Sequence, residues 1–148
     1  MASIHKEILI LASPEDVWAA IRDVGAVHQR LAPGFVIDTR LDGDARIVTF
    51  ANGAVVRELF VDIDDDARRL AYAAVGGRTT HHNASMQVFA VGEDQSRLVW
   101  ITDLLPNEAA PVIRELVERG AATMKRTLEA PIISRETKRE GISPSSDA

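Results

Sequence analysis

The sequence predicts an α+β domain in which a curved antiparallel sheet of about seven strands wraps a long C-terminal helix. Three observations lead there. An N-terminal strand-like segment runs straight into a strong helix start. A succession of strand-length segments follows, separated by short turns. One long amphipathic segment then stands near the C-terminus. Sequential strands joined by short turns pair as an antiparallel meander. Such a sheet needs a cover for its apolar face, and only the last helix is large enough to provide it.

Taken in order, Ile4 to Leu11 is rich in β-branched residues and reads as the first strand. It stops at Ser13-Pro14-Glu15-Asp16, where Ser is the N-cap, Pro takes the first helical position and the acids face the positive end of the dipole. Val17, Trp18 and Ile21 form the apolar stripe of that helix. A second short helix is expected from about Val24 to Leu31, ended by Pro33-Gly34. Strands are then expected over Phe35–Leu41, Ala45–Phe50, Val55–Ile63, Arg68–Val75, His82–Val91 and Ser96–Leu105. Asp42-Gly43-Asp44, Asn52-Gly53, Asp64-Asp65-Asp66, Gly76-Gly77 and Gly92-Glu93-Asp94-Gln95 supply the turns.

The long helix is expected from about Asn107, as its cap, to Glu129, with Pro131 marking its end. Ile113, Leu116, Val117, Gly120, Met124 and Leu128 recur on one face, and charged residues occupy the other. Residues 1–130 thus form a single domain, and residues 131–148 read as a flexible tail.

Composition narrows the function. The chain has 148 residues, a net charge of −5 and no cysteine. Disulfides, thiolate zinc sites and a Cys nucleophile are excluded. No basic run with interleaved aromatics occurs, so nucleic acid is not an expected partner. No signal peptide or membrane span is read, and the cytoplasm is the expected location. The acid run Asp62, Asp64, Asp65, Asp66 lacks the Gly and Glu of a calcium loop, with Ala67 and Ala73 in those places, and reads as a solvated turn. No Gly-rich phosphate loop, nucleophile elbow or zinc-helix motif is present, so neither metal nor cofactor is expected.

Alternation along the strands selects the inward side chains. These are Arg46, Val48 and Phe50; Val56, Glu58 and Phe60; Leu70, Tyr72 and Ala74; His82, Ala84, Met86, Val88 and Ala90; and Leu98, Trp100, Thr102 and Leu104. With Leu116, Val117, Gly120 and Met124 of the helix, they define an expected ligand cavity. Gly120, mid-helix on the apolar face, and the inward alanines leave the room; closer helix–sheet packing is the alternative.

Glu58, among apolar neighbours, is the first candidate for a general acid/base or ligand anchor, with a structural pair to Arg46 as the alternative. His82 is the second candidate by parity. Adjacent His81 points the other way, and His28 belongs to the short helix near the cavity mouth. Tyr72 and Trp100 can line the pocket and still belong to the core. Leu59, Val61 and Ile63, Phe89 and Val91, and Val99 and Ile101 face outward, which leads to the expectation of an apolar patch and a two-fold homodimer.

The order of elements and several local patterns resemble the START/SRPBCC superfamily, in its polyketide cyclase/dehydrase-like branch. The pieces are Ser13-Pro14-Glu15-Asp16-Val17-Trp18, Asp23-Val24-Gly25-Ala26-Val27-His28, Pro33-Gly34, Ala45-Arg46-Ile47-Val48, Asn52-Gly53, Val56-Arg57-Glu58-Leu59, the stretch Asp64 to Tyr72, and Ser96-Arg97-Leu98-Val99-Trp100. They span about Ser3 to Glu129. Leu31 and Ala84 stand where that branch often carries Trp and Tyr. The resemblance implies a helix-grip fold that binds a small hydrophobic, aromatic or polyketide-like molecule, lipids included, with cyclase or dehydratase chemistry as an option. An accessory module acting through protein contact is the competing reading.

Overall fold

In the computed structural model, which describes residues 2–139, one seven-stranded antiparallel sheet carries the fold. Its strands are β1 (Ala2–Ile10), β2 (Val36–Asp42), β3 (Ala45–Phe50), β4 (Val55–Asp64), β5 (Arg69–Val75), β6 (His81–Gly92) and β7 (Gln95–Leu105). Their order across the sheet is β1-β7-β6-β5-β4-β3-β2, so the meander runs from β2 to β7 and β1 closes against its last strand. Helix α1 (Pro14–Arg22) follows β1, and α2 (Ala110–Arg139) lies against β1 at one end of the sheet. This is the expected helix-grip architecture.

Local chemistry explains most boundaries. Ser13 caps α1, its hydroxyl accepting from the Asp16 amide at 3.1 Å. Pro14 takes the first turn, where its missing N–H costs nothing. Gly43 and Gly53 have φ of 58° and 91°, a left-handed geometry that suits glycine in tight hairpins. The β4–β5 turn is tied to α1: Asp65 accepts from Trp18 Nε1 at 2.9 Å and from Arg22 Nε at 2.7 Å. The acid run is therefore a structural corner.

Four expectations change. The segment after α1 holds only a five-residue π-helical turn, Val27–Leu31, because Asp23 to Ala26 form the connecting bend. Asn107 does not cap α2; it begins a short 3₁₀ turn (Asn107–Ala109) with no side-chain cap bond. Pro131 does not end α2 but sits inside it, the helix continuing to Arg139. Loss of one internal hydrogen bond does not stop a helix whose earlier turns are already packed. Of the expected tail, residues 140–148 lie outside the described residues.

The fourth change concerns the outward apolar groups. A bulge in β4 leaves Val61 without a partner, so that Asp62 pairs with Ala71 and Ile63 shifts register to stand opposite Leu70, still exposed. Phe89 is covered by the Arg97 guanidinium, 4.7 Å from the ring centroid, and Val99 is buried. Asn83, Ser85 and Gln87 of β6 stand between β7 and the exposed Leu59 and Val61 of β4. The expected continuous patch is thus divided on its β7 side, while Leu59, Val61 and Ile63 of β4 stay exposed.

The core lies on the concave face. Ile4, Ile8 and Ile10 of β1, Val17, Trp18 and Ile21 of α1, Leu98 and Leu104 of β7, and Val117, Ala121, Met124 and Leu128 of α2 join one apolar cluster. At the edge, α2 also covers β1. Lys125 Nζ donates to the Leu9 carbonyl at 2.5 Å, and the Leu11 amide donates to Glu129 at 2.9 Å. Ion pairing of Lys125 with Glu129 at 2.7 Å holds that cover together.

Candidate functional site

A pocket of about 500 Å³ opens between the N-terminal half of α2 and the middle of the sheet. Its helix side is Val112, Ile113, Leu116 and Val117. The sheet side is Val56 and Glu58 of β4, Tyr72 and Ala74 of β5, His82 of β6, and Trp100 and Thr102 of β7. Phe35 and Phe50 wall one flank, edge to face with centroids 5.4 Å apart. Two turns form the rim: the β3–β4 turn, with Asn52 and Ala54, and the β5–β6 loop from Gly76 to Thr79.

Alternation explains the polar content. The inward row of β4 is Val56, Glu58 and Phe60, and Glu58 stands directly opposite Arg46 of β3. Their side chains meet at 2.7 Å, Arg46 Nε to Glu58 Oε1, with side-chain exposures of 4% and 11%. Arg46 also donates to the Val24 carbonyl at 3.3 Å and lies over the Phe60 and Tyr72 rings, 5.7 and 5.3 Å from their centroids. The cation is enclosed behind the wall, whereas the carboxylate it balances lines the pocket. A buried carboxylate with its counter-charge to the rear presents an acceptor without isolated charge.

Burial raises the Tyr72 hydroxyl well above the ordinary tyrosine range, and the Glu58 charge pushes the same way; Arg46 and Trp100 offset part of this. The Trp100 indole N–H approaches that hydroxyl closely enough to bias it but makes no hydrogen bond. Burial pulls His82 below the ordinary histidine range of 6.5; Glu58 opposes this and His81 adds to it. The pocket at neutral pH therefore holds a protonated phenol and a neutral imidazole beside Glu58.

Of the residues expected to contact a ligand, Phe50, Val56, Glu58, Tyr72, His82, Trp100, Thr102, Leu116 and Val117 line this pocket. Arg46, Val48, Phe60, Met86, Gly120 and Met124 do not. Val48, Met86 and Met124 are packed in the core. Gly120 opens no space: a β-carbon there would stand 3.2 Å from the Phe35 ring and 3.3 Å from the Trp100 ring. It is the point of closest approach between helix and sheet. Residues that the sequence reading did not place at the cavity are Phe35, Asn52, Ala54, Val112 and the rim from Gly76 to Thr79. The Gly76-Gly77 pair marked that rim as a turn, but nothing local said that it borders a cavity.

Among the described residues no three His, Cys, Asp or Glu side chains gather so as to hold a metal, and no helix is long and apolar enough to cross a membrane.

Comparison with known proteins places these features. The family model described as polyketide cyclase/dehydrase and lipid transport matches residues 1–130. No curated protein matches. Among solved structures, a START superfamily protein from Mycobacterium smegmatis aligns with a TM-score of 0.69 at 13% identity, over 90% of this chain and 98% of that one. Norcoclaurine synthase from Thalictrum flavum, in complex with dopamine and hydroxybenzaldehyde, aligns with a TM-score of 0.69 at 22% identity, over 90% and 87%. The di-domain ARO/CYC BexL from the BE-7585A biosynthetic pathway aligns with a TM-score of 0.73 at 15% identity, over 87% of this chain and 47% of that one. At these identities the likeness is one of fold.

Proposed function

The chain belongs to the polyketide cyclase/dehydrase and lipid transport family, and on that premise we propose that it holds a small, largely apolar, ring-bearing molecule in the pocket under α2. The observation that carries this reading is the pocket itself. A space of about 500 Å³, walled by Phe35, Phe50, Trp100 and aliphatic side chains and furnished with one carboxylate, suits a ligand of a few fused rings. The aromatic ligands of norcoclaurine synthase and the cyclase described for BexL support a ring-bearing ligand over a plain acyl chain.

Glu58 is the group that would act on a bound molecule, as an acceptor or a base, because its charge reaches the pocket wall with its counter-ion behind it, whereas Arg78, the other charged lining residue, is exposed on the rim. His82 is its candidate partner across the sheet.

Native mass spectrometry of freshly purified protein tests the reading. A co-purifying organic mass, lost in a Leu116→Trp variant that fills the pocket, is the expected result. An empty chain that captures no ring compound, yet forms a stable complex with a protein partner, would replace this reading with that of an accessory module.

A further inference from the structure

Polar side chains on the concave face fall in one row. Arg46 is opposite Glu58, and Glu58 is opposite Ala74. Tyr72 is opposite Ala84 and Ala73 opposite Asn83, the last pair of that ladder, so continuing the register by one residue brings Ala74 level with His82. Glu58 and His82 therefore stand two strand spacings apart, about 10 Å between Cα atoms, with only a methyl group between them. Glu58, Ala74 and His82 all border the pocket. In the adjoining row the middle position is Tyr72, whose ring fills the corresponding space between Phe60 and Ala84. The gap is local to Ala74.

Its two sides are chemically distinct. Glu58 commits Oε1 to Arg46, and Oε2 has no hydrogen-bond partner among the described residues. The His82 imidazole makes no hydrogen bond there either. Lowered by burial, it stays neutral at pH 7 and keeps one nitrogen as an acceptor. An acceptor on each side thus borders a gap that the protein leaves unfilled.

We propose that Glu58 and His82 form a two-point clamp for an aromatic diol, one hydroxyl donating to Glu58 Oε2 and the other to the free imidazole nitrogen of His82, with the ring edge lying over Ala74. This deepens the binding reading above and rests on it. The class of ligand follows from charge. Arg46 already balances Glu58, so the clamp takes neutral donors, and a carboxylate end lodged there would meet Glu58 with like charge, while Arg78, the pocket's other charged residue, is exposed at the rim. A neutral diol is selected over an acid of the same size.

Isothermal titration of the full chain with four probes of one shape tests this: naphthalene, 2-naphthol, 1,3-dihydroxynaphthalene and 2-naphthoate. Each hydroxyl should tighten binding by about tenfold, and the carboxylate should bind no better than naphthalene. Glu58→Gln should remove most of the gain from the first hydroxyl, and His82→Phe that from the second. Ala74→Leu, which leaves the Arg46–Glu58 pair untouched, should abolish the diol preference. Circular dichroism checks that each variant is folded; should Glu58→Gln unfold the chain, the other two decide. Naphthalene binding as tightly as the diol, or naphthoate binding tightest, overturns the clamp while leaving the pocket reading intact. Failure of every probe, naphthalene included, sinks both.

Discussion

The two ends of α2 cover the same concave face and do opposite things. Toward Leu128, its side chains Ala121, Met124 and Leu128 sink into the apolar cluster with Ile8, Ile10, Val17 and Ile21. Toward Val112, its side chains Val112, Ile113 and Leu116 roof an open pocket. Both ends belong to one amphipathic stripe, so the stripe does not decide between packing and opening. What lies opposite decides. At the packed end the π-helical turn touches α1, α2 and β2, and α1 packs on β6 and β7. At the open end the sheet, Phe35, Phe50 and two rim turns border the space. Gly120 marks the transition, the place where Trp100 and Phe35 come nearest the helix axis.

The Arg46–Glu58 pair straddles that transition and should show the largest effect. Arg46→Leu leaves the Glu58 carboxylate without its counter-charge and should cost about 3–5 kcal/mol in urea denaturation, whereas Arg46→Leu with Glu58→Leu should recover most of the loss. Equal stability of single and double variants would mean that pocket water, not Arg46, solvates the carboxylate.

A matched pair of leucine truncations probes the contrast directly. Leu98 is fully buried between Ile8 and Val88, and Leu98→Ala should cost about 2–5 kcal/mol. Leu116→Ala at the pocket roof removes contacts already facing a void and should cost under about 1 kcal/mol while raising uptake of an apolar dye. Similar costs at the two sites would erase the distinction between the ends.

Gly120→Leu comes next, with an expected loss of about 1–3 kcal/mol as the new side chain displaces the Trp100 and Phe35 rings. Because those rings also wall the pocket, ligand uptake should fall with stability. A variant as stable as the parent with unchanged uptake would show that the closest approach lies elsewhere along α2.

The smallest effect concerns pH. His82 has its pKa lowered in the folded chain, so between that value and about 6.5 the unfolded state binds more protons. Its contribution is intact above about pH 6.5, shrinks as pH falls through the unfolded value and stops changing once the folded pKa is passed. Glu58 attracts the proton and narrows the window, while His81 repels it and widens it. The fall in Tm from pH 7 to pH 5 should therefore be slightly larger in the parent than in His82→Gln. A larger fall in the variant would place His82 in a favourable charged contact instead.

How much of this could be read from the chain depends on range. Strand boundaries and inward sets were legible because turns such as Asn52-Gly53 and a period of two are local signals. The same parity put Glu58 opposite Arg46 and both on the concave face. Val61 broke parity in β4, since a bulge has no residue signature of its own there, and Ile63 shifted register with it. Gly120 was read as opening space because a missing side chain looks the same whether a void or an indole stands opposite. The pocket moved to Val112 and Ile113 because its position depends on where α1 and the π-helical turn leave off, a relation among distant segments. Pro131 failed as a stop signal because packing upstream outweighs one lost bond.

The cover that Lys125 and Glu129 place over β1 reaches beyond the pocket. A sheet has two borders, and open-ended stacking of copies, border to border, requires both to be available. Here one is covered at its C-terminal end by side chains that hold the Leu9 carbonyl and the Leu11 amide, while the other, β2, ends the sheet with Ile37 and Leu41 exposed. Copies that meet through β2 would use the freer border and leave the partly covered one, which disfavours growth beyond a pair.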